Sequence, residues 1–83
     1  MTTDQIVEEI RGQIARRKKR AIETIASDAE LIRGLGLDSL DYAAVVVGVE
    51  AQIGGELDEG AVNWPAVKTV RDLAQALERH VKV

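Results

Sequence analysis

The run from Leu40 to Ile53 is apolar at most positions and is bracketed by Asp38 on one side and Gly54-Gly55 on the other. It falls short of the roughly 18 apolar residues that would suggest a membrane span, so other parts of the same chain must cover it. Val45-Val46-Val47-Gly48-Val49 suits a buried strand as well as a helix, because β-branched side chains are stiff in helices. No second strand candidate offers it a partner, and a lone strand would leave its backbone polar groups unpaired, so the run reads as a helix. Leu40, Ala43, Ala44, Val47 and Ala51 follow one face of that helix. Asp38 is placed to cap it, Asp41 lies in its first turn, and Gly54-Gly55 ends it.

Two further helices are expected to pack against it. Ile6, Val7, Ile10 and Ile14 recur at helical spacing, with Glu8, Glu9, Arg11 and Gln13 on the other faces. Thr2 or Thr3 caps this first helix, which should end between Arg17 and Ala21, where the cations of Arg16-Arg17-Lys18-Lys19-Arg20 suit a C-terminus. Thr69 opens the last helix with Asp72 three residues on, and Val70, Leu73, Ala74, Leu77 and Val81 line its inner face. Residues 22–37 contain Gly34 and Gly36 and scatter Ile25, Leu31, Ile32, Leu35 and Leu37 without one period, which predicts a long loop pinned to the core. Glu56 to Lys68 reads as a second loop with a short helix near Asp58 to Val62. The expected fold is all-α: a small bundle of three main helices plus a short helix, in one domain spanning 1–83.

With 83 residues and 46% apolar content but no Phe, one Trp and one Tyr, packing rests on aliphatic side chains and stability should be modest. There is no cysteine, hence no disulfide and no thiolate metal ligand, and any thiol chemistry must come from an attached group. A net charge of -3 argues against nucleic acid as the main partner. The start lacks a basic stretch followed by an apolar one, so no membrane insertion is expected and the protein reads as cytoplasmic.

Ser39 stands at the point where the loop gives way to the second helix, in Gly36-Leu37-Asp38-Ser39-Leu40. A hydroxyl there lies beside unpaired backbone N–H groups and the positive end of the helix dipole, which can hold a phosphate at a gain of ~0.3–1 kcal/mol. Nothing nearby in sequence would activate it. The sole histidine, His80, is near the far end, and no Gly-x-Ser-x-Gly elbow is present. Ser39 so placed suits a site of attachment, or merely helps to cap the second helix, and no catalytic residue and no metal site is expected of the chain.

Three segments together resemble the acyl carrier proteins, the phosphopantetheine-binding carrier domains. Leu35-Gly36-Leu37-Asp38-Ser39-Leu40-Asp41 is similar to their attachment motif, the run from Leu40 to Ile53 to their second helix, and Val67-Lys68-Thr69-Val70-Arg71-Asp72-Leu73 to the entry of their last helix. The resemblance implies that a separate phosphopantetheinyl transferase attaches 4'-phosphopantetheine from coenzyme A to Ser39, and that the arm's thiol holds an acyl or aminoacyl group as a thioester. It implies that Asp38, Leu40 and Asp41 are motif positions that partners recognise. The expected partners are that transferase, an acyl- or aminoacyl-loading ligase and a downstream synthase or transferase, visited by a monomer. An aminoacyl or peptidyl carrier, and an unmodified carrier-fold adaptor, are the alternative functions.

The second helix carries Ala44, Ala51 and Gln52 where fatty-acid carriers tend to be acidic, which points to a specialised lipid, polyketide or secondary-metabolite pathway. Arg16 to Arg20 read as a solvated helix end, Trp64 beside Pro65 as a half-buried loop anchor, and His80 as a surface residue near a frayed end. Val46, Val47 and Ala66 are the residues expected to line a crevice for cargo.

Overall fold

The computed structural model describes residues 1–82. It contains three α-helices, α1 (Thr3–Lys18), α2 (Ser39–Ile53) and α3 (Val70–His80). Each opens with the same device. Thr2, Asp38 and Thr69 stand in extended conformation and accept the backbone N–H of the third helical residue, while Gln5, Asp41 and Asp72 reach back to the cap's own N–H. Two orphan donors are satisfied at each start, so the sequence dictates where each helix begins. α1 ends at Lys18, with Lys19 in the left-handed region at φ 54, and α2 ends at Gly54, with φ 84.

α1 lies against both other helices and buries Ile6, Val7, Ile10 and Ile14. α3 answers with Val70, Leu73, Ala74 and Leu77, as its spacing predicts, but Val81, expected on the same face, lies past the helix end at His80 and is only half-buried. α2 contributes a different face from the one expected. Its buried residues are Asp41, Val45, Val46 and Val49, whereas Leu40 is 73% and Val47 63% exposed. The helix is apolar nearly all round, so hydrophobicity does not set its rotation. The charge of Asp41 does, because it is drawn inward to cations on α1, and Val45 and Val49 follow it at i+4 and i+8.

The loop between α1 and α2 is ordered by backbone bonds to the start of α3. Leu31 N–H donates to the Lys68 carbonyl at 2.8 Å, Val70 N–H to Ala29 at 3.1 Å and Arg71 N–H to Ser27 at 2.9 Å. Arg11, placed by sequence on the outer surface of α1, reaches over the same loop and donates to the carbonyls of Ile25 at 2.5 Å and Ile22 at 2.9 Å. Ile25, Leu31, Leu35 and Leu37 are buried anchors, but Ile32 is 66% exposed. The backbone bond from Gly36 N–H to the Ile32 carbonyl, at 3.0 Å, makes a turn that leaves this side chain outside.

The short helix expected near 58–62 is a single 3₁₀ turn, Glu59–Ala61, followed by another at Trp64–Ala66. Two short strands, β1 (Glu56–Leu57) and β2 (Val81–Lys82), pair antiparallel, a pairing not expected from sequence. Two residues a side leave no alternation to detect. The pair ties down the end of α3, and Asp58 N–H donates to the His80 carbonyl at 2.9 Å, so His80 stands at a held end and not a frayed one.

Candidate functional site

Asp38 is the N-cap of α2, its Oδ1 accepting the Asp41 N–H at 2.8 Å while Asp41 Oδ2 accepts the Asp38 N–H at 3.2 Å. Ser39 is thus the first helical residue, and it is exposed. The cap's side-chain bonds are made by Asp38 and Asp41, and among the described residues the Ser39 hydroxyl has no partner in it. Gly36 makes this approach possible. At φ 68 it turns the loop between buried Leu35 and Leu37 in a conformation that favours glycine, delivering Asp38 and Ser39 to the surface.

Asp41 holds the other side of the helix start. Lys18 Nζ lies 2.6 Å from its Oδ2 and Arg17 Nε 2.6 Å from its Oδ1. The Lys18 ammonium, the Asp38 N–H and the Arg17 guanidinium hold its carboxyl well below the usual carboxylate range, against the opposing pull of burial. Two members of the basic run are therefore structural, which corrects the picture of a wholly solvated helix end; Arg16, Lys19 and Arg20 remain exposed. Of the three motif residues beside the serine, Leu40 projects outward, Asp38 is exposed with one carboxylate oxygen engaged in the cap, and Asp41 turns inward. Arg17 and Lys18 were missed as site residues. Their signal was an acidic residue in the first turn of one helix and a cationic last turn on another.

A family model described as the phosphopantetheine attachment site matches residues 8–77 of the chain, with Ser39 and all three motif neighbours inside the match. The chain belongs to the phosphopantetheine-binding acyl carrier family. Acyl carrier protein 3 of Ralstonia nicotianae is 36% identical over 78 residues, covering 94% of this chain and 87% of that protein. The solution structure of MacpD, an acyl carrier protein from Pseudomonas fluorescens involved in mupirocin biosynthesis, matches with a TM-score of 0.70 at 32% identity, over 90% of this chain and 69% of that one. The protein is a carrier domain, its cofactor is covalent 4'-phosphopantetheine, and the expected helical carrier fold is the one observed.

A crevice of the carrier has Ser39 in its lining. It has a volume of about 840 Å³, with Leu37, Val46 and Leu57 among its apolar lining. Tyr42 and Trp64 form part of its wall and meet edge to face, ring centroids 5.9 Å apart at 71°. The Trp64 indole N–H donates to the Glu59 carbonyl at 3.2 Å, so the tryptophan is both the half-buried loop anchor expected and a crevice residue. Burial, with the negative charge of Asp72 beside it, pushes the Tyr42 phenol up to about 12. Val46 and Val47 line the crevice as expected, but Ala66 does not. It faces a separate pocket with Val62 and His80, because the 3₁₀ turn at Trp64–Ala66 presents the indole to the crevice in its place.

An exposed primary hydroxyl at a helix start, with an apolar crevice adjoining it, fits a tethered arm with a cargo at its tip. Among the described residues no helix is long and apolar enough to cross a membrane.

Proposed function

We propose that Ser39 is the residue that receives 4'-phosphopantetheine, and that the arm carries an acyl group as a thioester between partner enzymes of a specialised pathway. The placement of Ser39 carries this reading: it is exposed, outside the cap's side-chain bonds, and in the lining of the crevice. Transfer joins the serine oxygen to the β-phosphorus of coenzyme A, with the serine proton going to the transferase and the adenosine bisphosphate leaving. The chain itself acts as cargo holder and not as catalyst, since His80 lines a different pocket from Ser39. The transferase supplies base and metal.

Ser39, with Leu40 exposed beside it and Asp38 at the cap, is the surface that the transferase, the loading ligase and the downstream synthase or transferase meet. Asp41 serves that surface from within, by holding the helix start. The specialised pathway is supported by the outer face of α2, where Leu40, Ala43, Val47 and Ala51 are exposed and apolar, and by the likeness to a carrier of mupirocin biosynthesis. Such a face offers little electrostatic steering to the basic enzymes of a general fatty acid synthase. On this reading the chain acts as one carrier domain, as a monomer in the cytoplasm.

Mass-spectrometric peptide mapping after treatment with coenzyme A and a broad-specificity transferase tests this. The phosphopantetheine should be found on the peptide containing Ser39; recovery on Ser27, the other serine of the chain, would overturn the assignment.

A further inference from the structure

We infer that the crevice beside Ser39 sorts cargo by charge, taking in acyl chains that are neutral or end in an amine and excluding chains that end in a carboxylate. The inference rests on Ser39 being the attachment point, and it concerns what the tethered chain does once attached.

The crevice is apolar inside and acidic at its edge. Asp38, Glu50, Glu56 and Glu59 line it, and among its described lining residues there is no Lys, Arg or His. Glu50 and Asp38 are held in place by hydrogen bonds to backbone N–H groups, Glu50 to Leu57 at 2.6 Å and Asp38 to Asp41 at 2.8 Å, which fix their charge beside the opening. Asp41, the acidic residue with two cations against it, faces the opposite side, so its ion pairs do not offset this field. Lys82 lies 3.4 Å from Asp58. Arg33 and Lys68 line a neighbouring pocket on the far side of Ile32 and Tyr42, not the crevice itself, and share that pocket with Glu30.

A chain entering from Ser39 exchanges water for Leu37, Val46, Leu57 and the Tyr42–Trp64 wall, and gains from the apolar area it buries. A methyl end gains fully. A protonated amine end keeps its charge at the rim, where the carboxylates favour it. A carboxylate end brought to the same rim meets like charges, which raise its free energy, so it stays in solvent. The pantetheine arm is uncharged beyond its phosphate and carries amide N–H donors, so the acidic rim does not oppose the arm itself.

The test loads the protein from octanoyl-, ω-amino-octanoyl- and suberyl-coenzyme A, confirms each product by mass and by its absence in Ser39→Ala, and measures thioester cleavage by hydroxylamine. Octanoyl and ω-amino-octanoyl forms should be cleaved about tenfold more slowly than the same thioesters on free pantetheine, the ratio that corresponds to ~1.4 kcal/mol. The suberyl form should be cleaved at the free rate. The indole N–H resonance of Trp64, the sole tryptophan, should move in the first two forms and not in the third. In Glu56→Gln/Glu59→Gln, or at high salt, the suberyl form should become protected. Equal protection of all three forms, or protection of none, would overturn the inference while leaving the attachment site intact. Failure to load Ser39 would instead overturn the function proposed above.

Discussion

The Lys18 ammonium lies 2.6 Å from Oδ2 of Asp41, joining the last turn of α1 to the first turn of α2 two residues beyond Ser39. Arg17 closes on the other oxygen of the same carboxylate. This contact sets the rotation of α2, and through it decides that Ser39 and Leu40 face solvent.

Asp41 and Asp72 both have carboxyls lowered from the ordinary 3.8. For Asp72, burial pulls upward, but the N–H groups of Thr69 and Lys68 and the Thr69 hydroxyl outweigh it. A carboxyl lowered in the folded state adds stability above its unfolded pKa, and that contribution is lost as pH falls through the folded value. Urea unfolding midpoints should therefore drop steeply below about pH 4. Asp41→Asn should be less stable than the native chain at neutral pH and show a shallower acid slope, the two curves converging in acid.

The sole tyrosine, Tyr42, gives the opposite edge of the stability profile. Its folded pKa is raised from 10.0 to about 12, so the folded state holds the phenol proton more tightly, and stability should fall as pH rises through that interval. Ultraviolet difference absorption should show the phenolate forming near 12 in the folded protein. Titration at 10.0 would mean that the phenol is not buried beside Asp72.

Two residues with positive φ should respond in opposite senses. Lys19 closes α1 at φ 54, a conformation costing an L-residue roughly 1–2 kcal/mol, so Lys19→Gly should raise the unfolding free energy by about 1 kcal/mol. Gly36→Ala at φ 68 should lower it by a similar ~1–2 kcal/mol and slow modification of Ser39, since the loop that delivers the serine is strained. Chemical denaturation reads both.

The cap of α2 is separable from the attachment chemistry. Asp38→Ala should cost about 1 kcal/mol of stability, whereas Asp38→Ser, another good cap, should recover most of it. If modification of Ser39 falls equally in both variants, a partner reads the carboxylate of Asp38; if it is restored with the cap, Asp38 acts by holding the helix.

The helix starts were legible in the sequence to within a residue: Thr69 with Asp72 and the cap at Asp38 are as expected, while the choice between Thr2 and Thr3 is decided by the bond of Thr2 with Gln5, and the return bond of Asp41 to Asp38 is seen only in the structure. The inner faces of α1 and α3 were legible because apolar and polar residues alternate at helical spacing. The rotation of α2 was not, since Val45 to Val47 are chemically alike and the deciding contact comes from Lys18 and Arg17, more than twenty positions away in the chain. Ser39 itself stood out through local motif and position. The Tyr42–Trp64 wall did not, because it joins α2 to a 3₁₀ turn that has no periodicity to read.

The most direct test of the central claim is intact mass after incubation with coenzyme A, magnesium and a broad-specificity phosphopantetheinyl transferase, with Ser39→Ala alongside. The native chain should gain the mass of a single phosphopantetheine, and the variant, folded by circular dichroism, should gain none. No gain by the folded native chain, or equal gain by the variant, would contradict the account and leave an unmodified adaptor or a different attachment residue.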